Sequence, residues 1–287
     1  MPSLLADGFS YGWSVRNDIS SWLCFRNRMT TFEEYVDGTR SNARDTLTRF
    51  TPFITVLRTL NAAYETLLPS FFSTGLTGEG TVLFAAMSHA AFLAAVKLAA
   101  GGELLPAYFV FRGCLEDALY GFYLFHRPEL KSVWMARQDS EHAKKKVRAA
   151  FQITPMRKFL GEQAQSVGDQ FRVVYETLID FGAHPNTLAF TSHLTPIPDS
   201  TDQMWQYINL TTLDQAMAFR LGAMTGLCAL NILALMFPHQ FAQSGAGALL
   251  LRAHNEFSNV PEPGSKEEED AGKEFRCHPE PPMPRRG

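Results

Sequence analysis

The segment from Leu104 to Phe125 is the feature that most limits what this chain can fold into. It reads LLPAYFVFRGCLEDALYGFYLF and is apolar around almost the whole circumference of the helix that it predicts, yet Arg112, Glu116 and Asp117 interrupt it near its middle. A charged side chain in such surroundings is costly unless it is paired. The segment therefore predicts a helix in the core of an all-α protein, with a polar site at its charged residues.

A stripe of polar side chains follows one face of this predicted helix. Its members recur at spacings of four, four and three residues: Arg112, Glu116, Tyr120 and Tyr123. Because Arg112 and Glu116 are one turn apart, they can pair. The pair has two interpretations: an arginine fork that binds a carboxylate or phosphate, or a structural ion pair that fixes the position of the helix.

Asp117 points about a quarter turn away from the stripe. Small residues lie on that side of the helix, namely Gly113, Cys114 and Gly121. We expect a neighbouring helix to approach closely there. Asp117 then either bonds to that helix or contributes to a ligand site.

Length and composition are typical of a globular protein. The chain has 287 residues, of which 46% are apolar and 12% aromatic, enough for one large core or two small ones. Its formal net charge of -3 argues against capture of nucleic acid by overall charge, although it is compatible with a local basic patch.

The cysteines and the N-terminus bear on the cellular compartment. Cys24, Cys114, Cys228 and Cys277 are far apart and form no CxxC motif, which favours a reducing compartment without disulfides. The first residues show no basic start followed by an apolar run, so we expect no export signal and a cytoplasmic location.

Two apolar stretches resemble membrane spans, Gly80 to Ala100 and Leu221 to Phe237. The first contains His89 and Lys97, and the second is barely long enough to cross a bilayer. The mean hydropathy of the chain is -0.10, which is low for a protein with several spans. We therefore expect buried core helices and no membrane.

The chain divides into three parts by composition. Residues 1–38 form an irregular segment, residues 39–257 a single helical domain, and residues 258–287 a tail rich in Pro, Glu and Gly that is expected to be disordered. The domain is predicted to be an antiparallel bundle of about six to seven helices. No stretch alternates with a period of two, so essentially no sheet is expected.

Two predicted helices lie between the charged helix and a proline-containing loop at 184–204. One runs from about Glu129 to Phe151, with a pair between Glu141 and Lys145 and a KKKVR run that we interpret as a solvated face. The other begins near Pro155 and continues through Leu178. Gly182 is its expected left-handed end.

The end of this last helix holds a second candidate site. Asp180 and His184 are four residues apart, and both the carboxylate and the helix dipole favour a protonated imidazole. Such a histidine can act as a general acid or bind an anion. Alternatively, His184 caps the helix and Asn186 closes the turn.

A third candidate is the pair Trp134 and Arg137, one turn apart. It can stack on a planar ligand, or the indole can pack under the arginine stem. The motifs of other classes are missing from the sequence: there is no Glu-x-x-His pair, HExxH, GxGxxG, P-loop or GxSxG. We therefore expect no metal ion and no cofactor.

The block RGCLEDALYGFYLFHRPELKSVWMARQDSEHAKKKVRAAF, followed by DFGAHPN, resembles uncharacterised bacterial helical proteins related to the HEPN-like superfamily. The resemblance covers about residues 104–196. It implies an all-α antiparallel bundle, a polar site near Arg112, Glu116 and His184, and pairing into a homodimer.

Many HEPN-like proteins resemble metal-independent ribonucleases whose pattern is an arginine, four to six intervening residues, and then a histidine. Arg137 and His142 match this spacing, although Gln138 stands where the family favours Asn, Asp or His. Three functional classes follow. The first is a module that binds a nucleotide, RNA or another anionic ligand. The second is a ribonuclease of toxin or phage-defence type, and the third is a structural scaffold.

The residues assigned to these classes are as follows. The ligand-binding candidates are Arg112, Glu116, Asp117, Tyr120, Trp134, Arg137, His184 and Asn186. The catalytic candidates of the ribonuclease are His184, Asp180, Arg137 and His142.

Overall fold

A computed structural model describes residues 31–73, 80–183, 189, 194–196, 203–205 and 208–263. Nearly all of them are helical, which confirms the all-α prediction. The helices are α1 (Phe32–Arg49), α2 (Thr51–Ser73), α3 (Gly80–Gly101), α4 (Leu104–His126), α5 (Leu130–Met135), a 3-10 turn (Ala136–Gln138), α6 (Glu141–Ala150), α7 (Ile153–Gln163), α8 (Gln165–Leu178), a π-turn (Ile179–Ala183), α9 (Thr212–Met236), α10 (Pro238–Ser244) and α11 (Ala246–Ser258).

A small hairpin is the exception to the helical fold. Strands β1 (Leu194–Pro196) and β2 (Gln203–Trp205) pair in antiparallel fashion, with Leu194 opposite Trp205. The strands fall in the stretch that was predicted to be a loop. Three residues are too few to show a period of two, and the pairing uses backbone groups, so the sequence pattern did not reveal it.

Helix α9 lies at the centre of the core, packed against α2, α3, α4 and α8. Its glycines allow close approach: a β-carbon added at Gly222 would lie 2.6 Å from the Phe111 ring, and one added at Gly226 would lie 2.8 Å from the Phe92 ring. Both α3 and α9 are long and apolar enough to cross a membrane, which is weak evidence by itself. The absence of a membrane therefore remains a prediction.

A chain of polar atoms crosses the interior between α2, α3 and α4. The Tyr64 hydroxyl lies 3.1 Å from Ser88 Oγ, and Ser88 Oγ lies 3.3 Å from Cys114 Sγ. All three side chains are buried. Each of these polar atoms therefore has a partner in a site from which water is excluded.

The helix predicted from Glu129 to Phe151 is broken in two. Ser140 adopts an extended backbone and accepts a hydrogen bond from the Ala143 amide at 3.1 Å, so α6 starts anew at Glu141. Glu141 pairs with Lys144 at 2.7 Å. The helix predicted through Leu178 is also divided. A β-carbon on Gly168 would lie 2.5 Å from Gly161 Cα, so the short helices α7 and α8 cross in close contact.

The number of helices and the residues at which they begin and end also differ from the prediction. The described residues contain more helices than the six to seven expected, because local caps and positive-φ glycines such as Gly245 interrupt the longer patterns. A capping box of Thr31 and Glu34 starts α1 at Phe32, before the predicted end of the irregular segment at residue 38. Residues 1–30 and 264–287 lie outside the described part, so the predicted disordered tail is mostly not covered.

Candidate functional site

The charged pair predicted on α4 forms. Arg112 Nε lies 3.3 Å from Glu116 Oε1, and both side chains are half-buried. The separation of one helical turn brings the two groups together, as the sequence spacing indicates. The predicted ion pair is therefore confirmed.

The arginine has a second partner far along the chain. Arg112 Nη1 donates a hydrogen bond at 2.5 Å to the carbonyl oxygen of Ala183, at the end of the π-turn. Gly182 makes this approach feasible: its φ is 130°, and a β-carbon there would lie 2.2 Å from Leu105 Cδ1. Its positive φ agrees with the predicted left-handed end. Arg112 thus ties the chain after α8 to α4.

Glu116 also joins two helices. The Tyr175 hydroxyl on α8 donates a hydrogen bond to Glu116 Oε1 at 2.8 Å. Burial raises the pKa of Tyr175, and the negative charge of Glu116 raises it further, so the phenol keeps its proton and acts as a donor. We call Arg112, Glu116, Tyr175 and the Ala183 carbonyl the brace.

The cations next to the brace share one acidic neighbour. Arg157 Nη1 lies 2.9 Å from Glu176 Oε1, and Arg172 Nη1 lies 3.6 Å from Glu176 Oε2. One carboxylate thus serves two guanidinium groups. The charge of Glu176 consequently offsets one of the two positive charges on this side of α7 and α8.

Asp117 is half-buried beside the brace. Burial raises the pKa of its carboxyl from the usual value near 3.8 to about 6, and the charge of Glu116 adds to the effect. The predicted close approach occurs, since a β-carbon on Gly121 would lie 2.9 Å from Phe84 Cβ of α3. Among the described residues, however, no side chain forms a hydrogen bond or ion pair with Asp117.

Aromatic rings attach α5 and α6 to this part of the core. Tyr120 stacks on Phe151 with ring centres 5.5 Å apart, and its hydroxyl donates to the Phe151 carbonyl at 3.3 Å. Trp134 packs edge-on against Phe84 at 5.2 Å. In the described part of the chain, the indole has no cation–π contact with Arg137, so their shared ligand site remains a prediction. We call Phe84, Tyr120, Trp134 and Phe151 the aromatic cluster.

A group of exposed cations lies on the 3-10 turn and α6. It consists of Arg137, Lys145, Lys146 and Arg148, and we call it the basic surface; Lys145 and Arg148, one turn apart, share a face of α6, whereas Lys146 lies on the other flank. None of these four side chains forms an ion pair within the described ranges. The positive charge of Arg137 opposes the rise in the pKa of Tyr120, so Arg137 is close enough to this tyrosine of the aromatic cluster to act on it.

Sequence reasoning missed the basic surface although its signal was present. The run KKKVR was interpreted as a solvated face. Only Val147 of this run is buried, and Lys144 is occupied by Glu141, which leaves the other cations exposed. Their lack of acidic partners depends on the fold and was not visible in the run itself.

The remaining candidates are scattered. Arg137 and His142 are both exposed, and the structure records no contact between them. Asp180 is exposed in the π-turn. His184 and Asn186 lie outside the described residues. Within the described ranges, no group of three or more His, Cys, Asp or Glu side chains is placed to hold a metal ion.

Comparisons with known proteins add no relative. A scan against protein-family models, a search of curated proteins and a search of solved structures each found no match to this chain. The resemblance to the HEPN-like superfamily stays a prediction from sequence.

Proposed function

We propose that this protein binds a phosphate-bearing ligand, RNA or a nucleotide, through the basic surface. The observation that carries the proposal is a set of four exposed cations, Arg137, Lys145, Lys146 and Arg148, without acidic partners among the described residues. The chain as a whole has a net charge of -3, so these cations are not simply a consequence of an overall basic composition. Lysine and arginine side chains that neutralise phosphates supply most of the sequence-independent affinity for nucleic acid.

The aromatic cluster supports the same proposal. Stacking of Tyr120 on Phe151 and packing of Trp134 on Phe84 anchor α5 and α6 to the core. Cations on an anchored helix lose less conformational freedom on binding than cations on a mobile tail, which improves affinity. Trp134 is itself half-buried, so part of this residue remains open to solvent one turn before Arg137.

The brace has a different role in this proposal. The guanidinium of Arg112 already contacts Glu116 and the Ala183 carbonyl, and Glu116 already accepts from Tyr175. These contacts favour the structural interpretation of the charged stripe. We assign Arg112 and Glu116 to holding α4, α8 and the π-turn together, and the ligand contacts to Arg137 and α6.

We also infer that the helices form an antiparallel bundle. Ser88 contacts Cys114, whereas Phe84, earlier in α3, meets Gly121, later in α4. The order of contacts supports antiparallel packing of these two helices. The HEPN-like relationship, a homodimer and a cytoplasmic location are compatible with such a bundle and remain predictions.

A binding measurement tests the proposed function. A short, fluorescein-labelled single-stranded RNA is titrated with the full chain at several salt concentrations, and anisotropy gives the dissociation constant. Lys145→Gln/Arg148→Gln should weaken binding and reduce the slope of log affinity against log salt by about 1.4, the expected effect of two lost phosphate contacts. A matching panel of nucleotides identifies a smaller ligand.

The control is Arg44→Gln/Arg58→Gln, which removes the same charge from exposed positions on α1 and α2. The proposal requires this variant to bind like the wild type. Equal weakening by both variants would mean that only overall charge matters. Cleavage of the RNA by the wild type, abolished by His142→Ala, would replace the proposal with the ribonuclease.

A further inference from the structure

Helix α3 is less buried than expected for a helix of such apolar composition. It is at least as apolar as α9. However, only 39% of its most apolar stretch of 18 residues is buried inside the protein, whereas the corresponding stretch of α9 is 72% buried. The apolar character of α9 is explained by its central position in the core. The apolar character of α3 is not, because much of it faces outward.

The outward side of α3 is apolar from Leu83 to Ala94, and the exposed Lys97 follows one turn later. Leu83, Met87 and Leu93 are 62%, 48% and 45% exposed. Alanines at every fourth position lie on the same outward side and are also exposed: Ala86, Ala90 and Ala94. We call these six residues the α3 face. Rows of small residues flanked by larger ones allow another segment to pack closely.

We propose that residues 1–30 of the same chain bind to the α3 face. The first described residues lie near one end of that helix: the Tyr35 hydroxyl donates to Glu103 Oε1 at 2.6 Å, two residues after α3 ends at Gly101. Thr31 precedes Tyr35 by four residues, about 6 Å of helix. Residues 1–30 therefore join the described structure beside the C-terminal end of α3.

The length of the segment suits the surface. Helix α3 has 22 residues and is about 33 Å long. Thirty residues span about 45 Å as a helix and up to about 100 Å when extended. The segment can cover the whole face in either conformation without displacing α1.

The composition of the segment suits the surface as well. Its aromatic and branched aliphatic members are Leu4, Leu5, Phe9, Tyr11, Trp13, Val15, Ile19, Trp22, Leu23 and Phe25. They include two of the four tryptophans of the chain. Contiguous apolar patches are rarely left open on soluble monomers. One contact between the segment and the α3 face removes both sets of side chains from water.

Thiol labelling in the full chain tests the proposal. Cys24 and Cys277 are replaced by serine, and Ala90→Cys or Ala149→Cys is added; both alanines are exposed, the second on α6. Cys114 and Cys228 are buried and remain unlabelled. Under native conditions, maleimide should modify the Ala90→Cys chain about tenfold more slowly than the Ala149→Cys chain, because a covering segment must open first.

The next variant identifies what covers the thiol. Trp13→Ala/Trp22→Ala in the Ala90→Cys chain should raise its labelling rate to that of the control. In a separate chain that keeps Cys24, carries Ala90→Cys and lacks Cys277, a short bis-maleimide should link the two thiols within one monomer. This second measurement decides the question even if the tryptophan variant does not fold.

Three results would overturn the proposal. Equal labelling rates of the Ala90→Cys and Ala149→Cys chains would show an open face. Slow labelling that depends on protein concentration, with cross-links between chains, would assign the face to a second copy. Labelling that slows only when vesicles of phosphatidylcholine and phosphatidylglycerol are added would assign it to a bilayer.

Discussion

The hydroxyl of Tyr175 and the carboxylate of Glu116 meet at 2.8 Å, although 59 residues separate them in the chain. The contact connects α8 to α4 at the point where Arg112 also holds the π-turn. Helix α8 and the π-turn that follows it are both distant from α4 in sequence. They are thus joined to α4 within one of its helical turns.

Tyr175→Phe should lower the free energy of unfolding by about 1 kcal/mol, because Glu116 loses its hydrogen-bond donor. Urea unfolding measures the change. Tyr123→Phe is the control, since the Tyr123 ring packs on Phe151 and Phe159 and its hydroxyl has no hydrogen bond among the described residues. A double-mutant cycle with Glu116→Ala, which removes the acceptor, isolates the contact. Additive effects in that cycle would show that the contact contributes no coupling.

Arg112→Ala should lower the free energy of unfolding by about 1–3 kcal/mol, since it removes the donor to the Ala183 carbonyl and leaves Tyr175 as the remaining partner of Glu116. RNA affinity, measured by anisotropy at a temperature where the variant is folded, should stay within about twofold of the wild type. A large loss of affinity in a fully folded variant would return Arg112 to the ligand site.

Asp117→Asn should stabilise the protein at neutral pH. The folded state raises the pKa of Asp117 from about 3.8 to about 6, so the folded chain binds more protons than the unfolded chain between these values. Stability is therefore lost as the pH rises through this window. The gain in Asp117→Asn should be near zero at pH 4 and about 1 kcal/mol above pH 7, a value reduced for the partial exposure of the group.

Urea unfolding at a series of pH values measures this gain. The control is Asp139→Asn, which removes the same charge from an exposed position before α6. A gain in Asp117→Asn that is the same at pH 4 and pH 7 would contradict a titration of Asp117.

Gly113→Ala and Gly121→Ala form a matched pair within α4. A β-carbon at Gly113 meets nothing within 4 Å, so alanine there should stabilise the helix by about 0.5–1 kcal/mol. A β-carbon at Gly121 would lie 2.9 Å from Phe84 Cβ, so alanine should destabilise the protein by about 1–3 kcal/mol. Thermal melting should move in opposite directions for the two variants, and shifts of the same sign would contradict the packing of α3 on α4.

Cys114 and Cys228 should not react with a thiol reagent in the native protein. Both are buried, and burial raises the pKa of Cys114 to about 12, so little thiolate forms at pH 8. In a Cys24→Ser/Cys277→Ser chain, Ellman's reagent should detect no thiol until urea unfolds the protein. Rapid reaction in buffer alone would contradict their burial.

Local features of the fold were predictable from the sequence. Helix α4 begins at Leu104 as its apolar pattern indicates, and the spacing of Arg112 and Glu116 correctly predicts their ion pair. A helix and a pair one turn apart both depend on residues that are close in sequence. The burial of Cys114 and Cys228 in apolar helices was predictable on the same basis.

Long-range features were not predictable. The Ala183 carbonyl that accepts from Arg112 is 71 residues away. The contact between Gly161 and Gly168 requires α7 and α8 to cross, which no periodicity reveals. The break at Ser140 had a local signal, a good capping residue, but the prediction of one helix from Glu129 to Phe151 did not take it into account.

The buried contacts from Tyr64 through Ser88 to Cys114 specify how far α2, α3 and α4 are shifted along one another. Apolar helices alone pack in several positions of similar energy, because one leucine or phenylalanine can replace another after a slip of one turn. A slip of α3 would move Ser88 about 5 Å and leave two buried polar atoms without partners. The contacts among Tyr64, Ser88 and Cys114 thus disfavour shifted packings of the same helices. Replacing these polar groups should yield a core that is stable but has a less well-defined packing.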